Sequence, residues 1–178
     1  SSFSLDNFKA TEIHLTKGTT IESTKLTYVD SLSRISVKSL DGQFLERKWL
    51  DTLYSSVLPS THIVDFSGNN VLEYVVSSSD KVALYGPDKK LGLYESFNFN
   101  INENIIVIGN SDKYILIENK KLEEIYLFDS NLSANDIFPV SGSLRAAIGD
   151  LNKDGFQELV TVFKGKLIAY TITSEDFY

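Results

Sequence analysis

The chain has 178 residues, a net charge of −7, 42% hydrophobic residues, two histidines and no cysteine. That length allows one domain with a sizeable core, and the missing cysteines exclude disulfides, thiolate metal sites and a cysteine nucleophile. The acidic balance excludes nucleic acid, whose phosphates need clustered Lys and Arg, and no apolar run approaches the roughly 18 residues of a membrane span.

With Ser1 where an initiating methionine would stand, a processed or excised segment is expected, any targeting signal lying upstream. Residues 1–24 carry the weakest pattern, with short strands predicted at 12–15 and 20–22 around a Lys17-Gly18 turn. From Lys25 a three-strand meander begins, with strands at 26–29, 34–37 and 44–49 and turns at 30–33 and 40–43. It recurs with strands at 74–76, 81–85 and 91–94, and again at 105–108, 113–117 and 122–128. A fourth copy is shorter, with strands at 158–162 and 166–172. Arg34, Lys81, Lys113 and Lys166 take equivalent places in the four copies, giving a mean period of about 44 residues.

Such a period predicts an all-β fold, a β-propeller-like array of about four antiparallel, three- to four-stranded blades in a single domain over 1–178. The blades fall near 25–50, 61–97, 103–128 and 145–173. An immunoglobulin-like sandwich would show evenly spaced strands without this internal similarity. Four blades leave open strand edges, so the array is either part of a larger propeller or a compact one sealed by residues 1–24. Helix is confined to single turns near 51–54 and 130–136.

One loop stands out. Asp150, Asn152 and Asp154 alternate along it, Gly155 permits a positive φ, and Glu158 returns at its far end, just before the run Leu159-Val160-Thr161-Val162. Carboxylates, an amide oxygen and a backbone carbonyl, here that of Phe156, form the oxygen set that a hard divalent cation takes. The reading is a calcium-tied turn between strands, against an Asx turn without metal. Residues 63–73 repeat this stretch 85 positions earlier, with Asp65, Ser67, Asn69, Asn70 and Glu73 standing for Asp150, Asn152, Asp154, Gly155 and Glu158. Having lost a carboxylate, that earlier loop is expected to be metal-free and held by Asx hydrogen bonds.

Phe138-Pro139 and the run from Ser143 to Val160 resemble the FG-GAP and VCBS type of propeller repeat, found in integrin α-subunit heads and many bacterial surface proteins. The resemblance implies a structural Ca²⁺ held by Asp150, Asn152, Asp154, the Phe156 carbonyl and Glu158, and a propeller whose loops recognise proteins or glycans. Two departures stand out: the usual final aspartate is Glu158, and one blade alone has the full loop.

Other candidates have plain structural readings. His14 and His62 are strand-face residues, not ligands. Glu123 and Glu124 point to opposite faces of a strand and cannot act as a carboxylate pair. Trp49 with Tyr54, or Tyr85 with Tyr94, offer rings for a sugar, although such rings more often fill the space between blades. No phosphate loop, nucleophile elbow or zinc motif is present. The expected function is therefore a non-catalytic, calcium-stabilised module for protein recognition or assembly at a cell surface or in a secretion complex, extracytoplasmic and bacterial. A calcium-dependent carbohydrate-binding module and a fragment of a carbohydrate-active enzyme are the alternatives.

Overall fold

A computed structural model of the chain describes residues 12–17, 20, 24–29, 34–40, 44–49, 60–66, 69, 71–88, 91–101, 104–109 and 112–173. All regular structure among them is β. The strands are β1 (Glu12–Thr16), β2 (Lys25–Val29), β3 (Arg34–Ser39), β4 (Phe44–Trp49), β5 (Ser60–Val64), β6 (Glu73–Ser78), β7 (Lys81–Tyr85), β8 (Leu91–Ser96), β9 (Ile105–Ile108), β10 (Tyr114–Asn119), β11 (Glu124–Phe128), β12 (Val140–Ser141), β13 (Ala146–Gly149), β14 (Gln157–Phe163) and β15 (Lys166–Ile172). They form four antiparallel meander sheets, β1 to β4, β5 to β8, β9 to β12 and β13 to β15. The first strands β1 and β5 touch, as do β5 and β9, so the first three sheets share one side.

The copies repeat in register, not only in pattern. The pairing of β3 with β4 slips between Val37 and Lys38, and that of β7 with β8 slips between Leu84 and Tyr85, 47 residues on. A bulge kept at one place in two sheets sets the bend of the last strand in each. The hairpin between β14 and β15 turns through Lys164 and Gly165, both at positive φ, as a two-residue turn matched to strand twist requires.

Each internal sheet is apolar on both faces, because a sheet is stacked on either side of it. In β7, Val82 and Leu84 face the third sheet, where they meet Ile105, Ile115 and Ile117, while Ala83 and Tyr85 pack with Ile35 of the first sheet. In β10, Ile115 and Ile117 face the second sheet, and Leu116 faces Leu159 and Ile172 of the fourth. Phe97, Phe99, Tyr126 and Phe128 stack edge-on or tilted at 5.3 to 6.3 Å beside the second seam.

Two expectations are corrected. Lys113 is not the equivalent of Lys81: it precedes β10, the second strand of its sheet, whereas Arg34, Lys81 and Lys166 open third strands. Glu124 holds that place in the third sheet, so the intervals Arg34–Lys81, Lys81–Glu124 and Glu124–Lys166 are 47, 43 and 42 residues. Residues 12–16 supply β1, paired along β2, while most of 1–24, the segment expected to seal a compact array, lies outside the described residues; 130–136 makes no helical turn, instead closing on the bridge Phe128–Ala134. The expectations for 30–33, 41–43, 51–54, Ser67, Gly68 and Asn70 lie outside the described residues.

Candidate functional site

The acidic loop joins β13 to β14, the first two strands of the fourth sheet, and ends where Gly149 pairs with Glu158. Its side-chain oxygens accept from its own backbone. Gly155 N–H donates to Asp150 Oδ2 at 3.1 Å, Asp154 N–H to Asn152 Oδ1 at 3.0 Å and Phe156 N–H to Asp154 Oδ1 at 2.9 Å. Leu151 N–H donates to Glu158 Oε2 at 2.8 Å, so the loop folds back over the glutamate. Gly155 sits at φ 93°, where a side chain would be strained.

The earlier loop, between β5 and β6, is built the same way. Phe66 N–H donates to Glu73 Oε2 at 3.1 Å and Val71 N–H to Asn69 Oδ1 at 2.7 Å, both bonds falling 85 residues before their counterparts, and Val64 pairs with Glu73 as Gly149 does with Glu158. Asn69 N–H donates to Asp65 Oδ1 at 3.1 Å. Asx hydrogen bonds hold both loops and so do not separate them. What differs is the acid: Asp154 stands where Asn69 does, and Glu158 is buried at 6% exposure while Glu73 is half-buried.

Glu158 carries the decisive detail. Its Oε1 is buried and has no hydrogen-bond partner, an arrangement that costs the desolvation of a charged oxygen unless a donor or a cation meets it. Among the described residues no group of three or more His, Cys, Asp or Glu side chains is drawn together as a metal centre. Asp150, Asp154 and Glu158 are thus placed along one loop without converging. The donor chemistry, all oxygen with one orphaned carboxylate oxygen beneath the loop, fits a hard cation.

Sequence reasoning missed the braces around this loop. Gln157 Nε2 donates to Asp112 Oδ2 at 3.1 Å, tying the loop's end to the corresponding loop of the third sheet. Thr161 Oγ accepts from Ser143 N–H at 3.0 Å and donates to the Ser143 carbonyl at 2.8 Å, so the approach to β13 is pinned to β14. The aromatic candidates resolve in part. Tyr85 is 2% exposed between the first two sheets and presents no face to a sugar. A cleft of about 330 Å³ lies along the seam of the second and third sheets, lined by Phe66, Glu73, Leu93 and Asn131.

His62 on β5 is a structural tie. Its Nε2–H donates to the Ile105 carbonyl at 3.1 Å, joining β5 to β9, and burial, only partly offset by that bond, lowers its pKa from the ordinary 6.5. The unfolded chain gains a proton here as pH falls below about 6.5 while the folded chain resists it, so this stability is whole above that pH and is lost as pH falls through the folded value. The melting midpoint is expected to drop on acidification more steeply for the parent than for His62→Gln, and parallel curves for the two would refute this.

No protein-family model matches the chain, and no curated protein matches it. Solved structures do. BBS1N from a crystal of its complex with ARL6DN superposes with a TM-score of 0.60 at 9% identity, over 93% of this chain and 52% of that one. The fold is a β-propeller-like array. A second BBS1N–ARL6DN crystal gives a TM-score of 0.54 at 10% identity over 91% and 54% of the two chains, and a protein of unknown function from Bacteroides caccae gives 0.50 at 7% over 97% and 60%. The chain spans about half the length of the BBS1N chains it matches.

Proposed function

We propose that this propeller-like chain is a non-catalytic module for protein recognition or assembly, stabilised by Ca²⁺ and working outside the cytoplasm. The observation that carries the calcium is the buried, partnerless Oε1 of Glu158 under an all-oxygen loop. Asp150, Asn152, Asp154, the Phe156 carbonyl and Glu158 are the residues that would hold the ion, as the FG-GAP and VCBS resemblance also implies. Bound there, Ca²⁺ supplies positive charge that neutralises the acids and fixes the turn between β13 and β14. Extracellular calcium modules work with dissociation constants of about 10⁻⁴ to 10⁻³ M, which suits an extracytoplasmic setting. Recognition of a protein is supported by BBS1N, of like fold, in complex with ARL6DN. Among the described residues no helix is long and apolar enough to cross a membrane.

The test is a thermal melt in millimolar Ca²⁺ and in EDTA, for the parent and for Glu158→Gln. An ion at about 100 times its dissociation constant adds about 2.7 kcal/mol, a rise of several degrees for a chain of this size. Glu158→Gln is expected to lose most of that rise, and equal midpoints in Ca²⁺ and EDTA for the parent would remove calcium from the account. Recognition is tested by affinity capture from the native source in both buffers. A stoichiometric protein recovered in Ca²⁺ supports it; no protein in either buffer counts against it.

A further inference from the structure

The bulge shared by the first two sheets leaves a different residue unpaired in each. It is Leu45 in the first and, 47 positions on, Gly92 in the second. A bulge calls for glycine when its backbone passes through positive φ or when a neighbour crowds the Cβ. Neither holds for Gly92, whose φ lies outside the left-handed region and whose added Cβ would meet nothing nearer than the Leu84 carbonyl oxygen at 3.5 Å, an ordinary contact. Glycine in a strand weakens it, and otherwise marks a place where a ligand comes close to the backbone. Gly92 lines the cleft of about 330 Å³ between the second and third sheets, together with Phe66, Glu73, Leu84, Leu93 and Asn131.

This cleft joins apolar walls to a set of acceptors. Phe66, Leu84 and Leu93 are the apolar part, and Glu73 is the one charged residue among the described ones that line it. The Glu73 carboxylate accepts the Phe66 N–H at 3.1 Å, and among the described residues no ion pair reaches it. Its twin Glu158 is buried beneath its own loop, whereas Glu73 stands half-buried at the cleft. Asn131 donates its amide N–H to Asp129, which leaves the amide oxygen as an acceptor, and the Leu84 carbonyl beside Gly92 is another, since a carbonyl oxygen has a second lone pair.

We propose that the cleft takes an arginine side chain presented by a partner protein, which deepens, and rests on, the reading of this chain as a protein-recognition module. The methylene stem lies along Phe66, Leu84 and Leu93. The guanidinium stacks on the Phe66 ring and donates to the Glu73 carboxylate, whose charge it matches. Charge complementarity selects a basic group over an apolar one, because an uncharged occupant strips water from Glu73 and returns nothing in its place. A planar fork of donors suits a cleft with several acceptors better than the point charge of a lysine does.

An NMR titration with N-acetyl-L-arginine amide at fixed ionic strength tests the proposal, since that probe needs no partner and reads the cleft alone. The backbone amides of Phe66, Gly92 and Asn131 are expected to shift together, with little response to the citrulline analogue, which has the same shape and no charge. Glu73→Gln, which keeps an acceptor for the Phe66 N–H, is expected to weaken binding at least about tenfold. Gly92→Leu, which gives the second bulge the residue type of the first, is expected to abolish it, and melting midpoints establish that each variant folds. Equal shifts with the citrulline analogue, shifts scattered over other acidic surfaces, or binding indifferent to both variants overturns the proposal. So does a parent that takes the probe only after Lys89→Ser and Lys90→Ser in the turn between β7 and β8, for then a lysine of the chain itself fills the cleft. The two readings fail separately: a partner captured from the native source without arginine binding removes this site and leaves protein recognition standing.

Discussion

Ile115→Ala is expected to cost about 2–5 kcal/mol, the largest loss of any single substitution considered. Ile115 is 0% exposed in β10, the strand on which three sheets meet: it faces Val75, Val82 and Leu84 of the second sheet while its neighbour Leu116 faces the fourth. Removing its side chain opens a void that the surroundings cannot close, because the facing residues are held by ladders of their own and cannot shift together. For a chain of this size the midpoint should fall by about 5–15 °C. Leu122→Ala, in an exposed turn, should stay within about 0.5 kcal/mol. Chemical denaturation of both variants checks the contrast; a loss under about 1 kcal/mol for Ile115→Ala would mean that the second and third sheets are not packed as described.

Strand positions are legible locally, since alternation and β-branching in 34–37, 81–85 and 166–172 suffice to place β3, β7 and β15. The phase of the third sheet is not legible in the same way. Ser-Asp-Lys closes the hairpin between β6 and β7 at 79–81, yet the Asp112 and Lys113 of the same three letters come directly before β10. Three letters cannot say which turn they close. The contact of β9 with β5 decides it, together with β12, a two-residue strand too short to announce itself. The twin loops are legible from the spacing of Asp65 to Glu73 and Asp150 to Glu158, and the shared backbone bonds follow from that spacing. The braces from Gln157 to Asp112 and from Thr161 to Ser143 span 45 and 18 residues, and no local pattern marks them.

Coverage is equally illegible. Val82 and Leu84 alternate along β7 just as Leu167 and Ala169 do along β15, and both pairs read as the inward face of a strand. One pair is buried because β10 lies over it, the other exposed because no sheet among the described residues does. Local hydrophobic pattern states which face is fit for packing, whereas the neighbour that packs on it is a matter of the array. The acid follows the same rule, since Glu73 and Glu158 share position and hydrogen bond but differ in burial, and only the buried one keeps an orphaned oxygen.

Glycine positions separate backbone strain from collision, and Gly109→Ala is expected to be the worst of three parallel substitutions. Gly109 follows β9 at φ 105°, and a Cβ there would strike the Asp112 carbonyl oxygen and come within 3.3 Å of the Lys113 Cα. Both obstacles are backbone, so the loop itself must open, which also pulls Asp112 away from Gln157. Strain of that φ contributes about 1–3 kcal/mol, and displacement of the loop adds to it. Gly155 at φ 93° has nothing within 4 Å of an added Cβ, so Gly155→Ala should show the strain alone when measured in EDTA. Gly149 has neither a positive φ nor a nearby atom, and Gly149→Ala should be neutral or stabilising by up to about 1 kcal/mol. Midpoints in urea should therefore fall in the order Gly149→Ala, Gly155→Ala, Gly109→Ala; a Gly109→Ala variant as stable as Gly155→Ala would show that the turn before β10 is wider than the close approach to Asp112 requires.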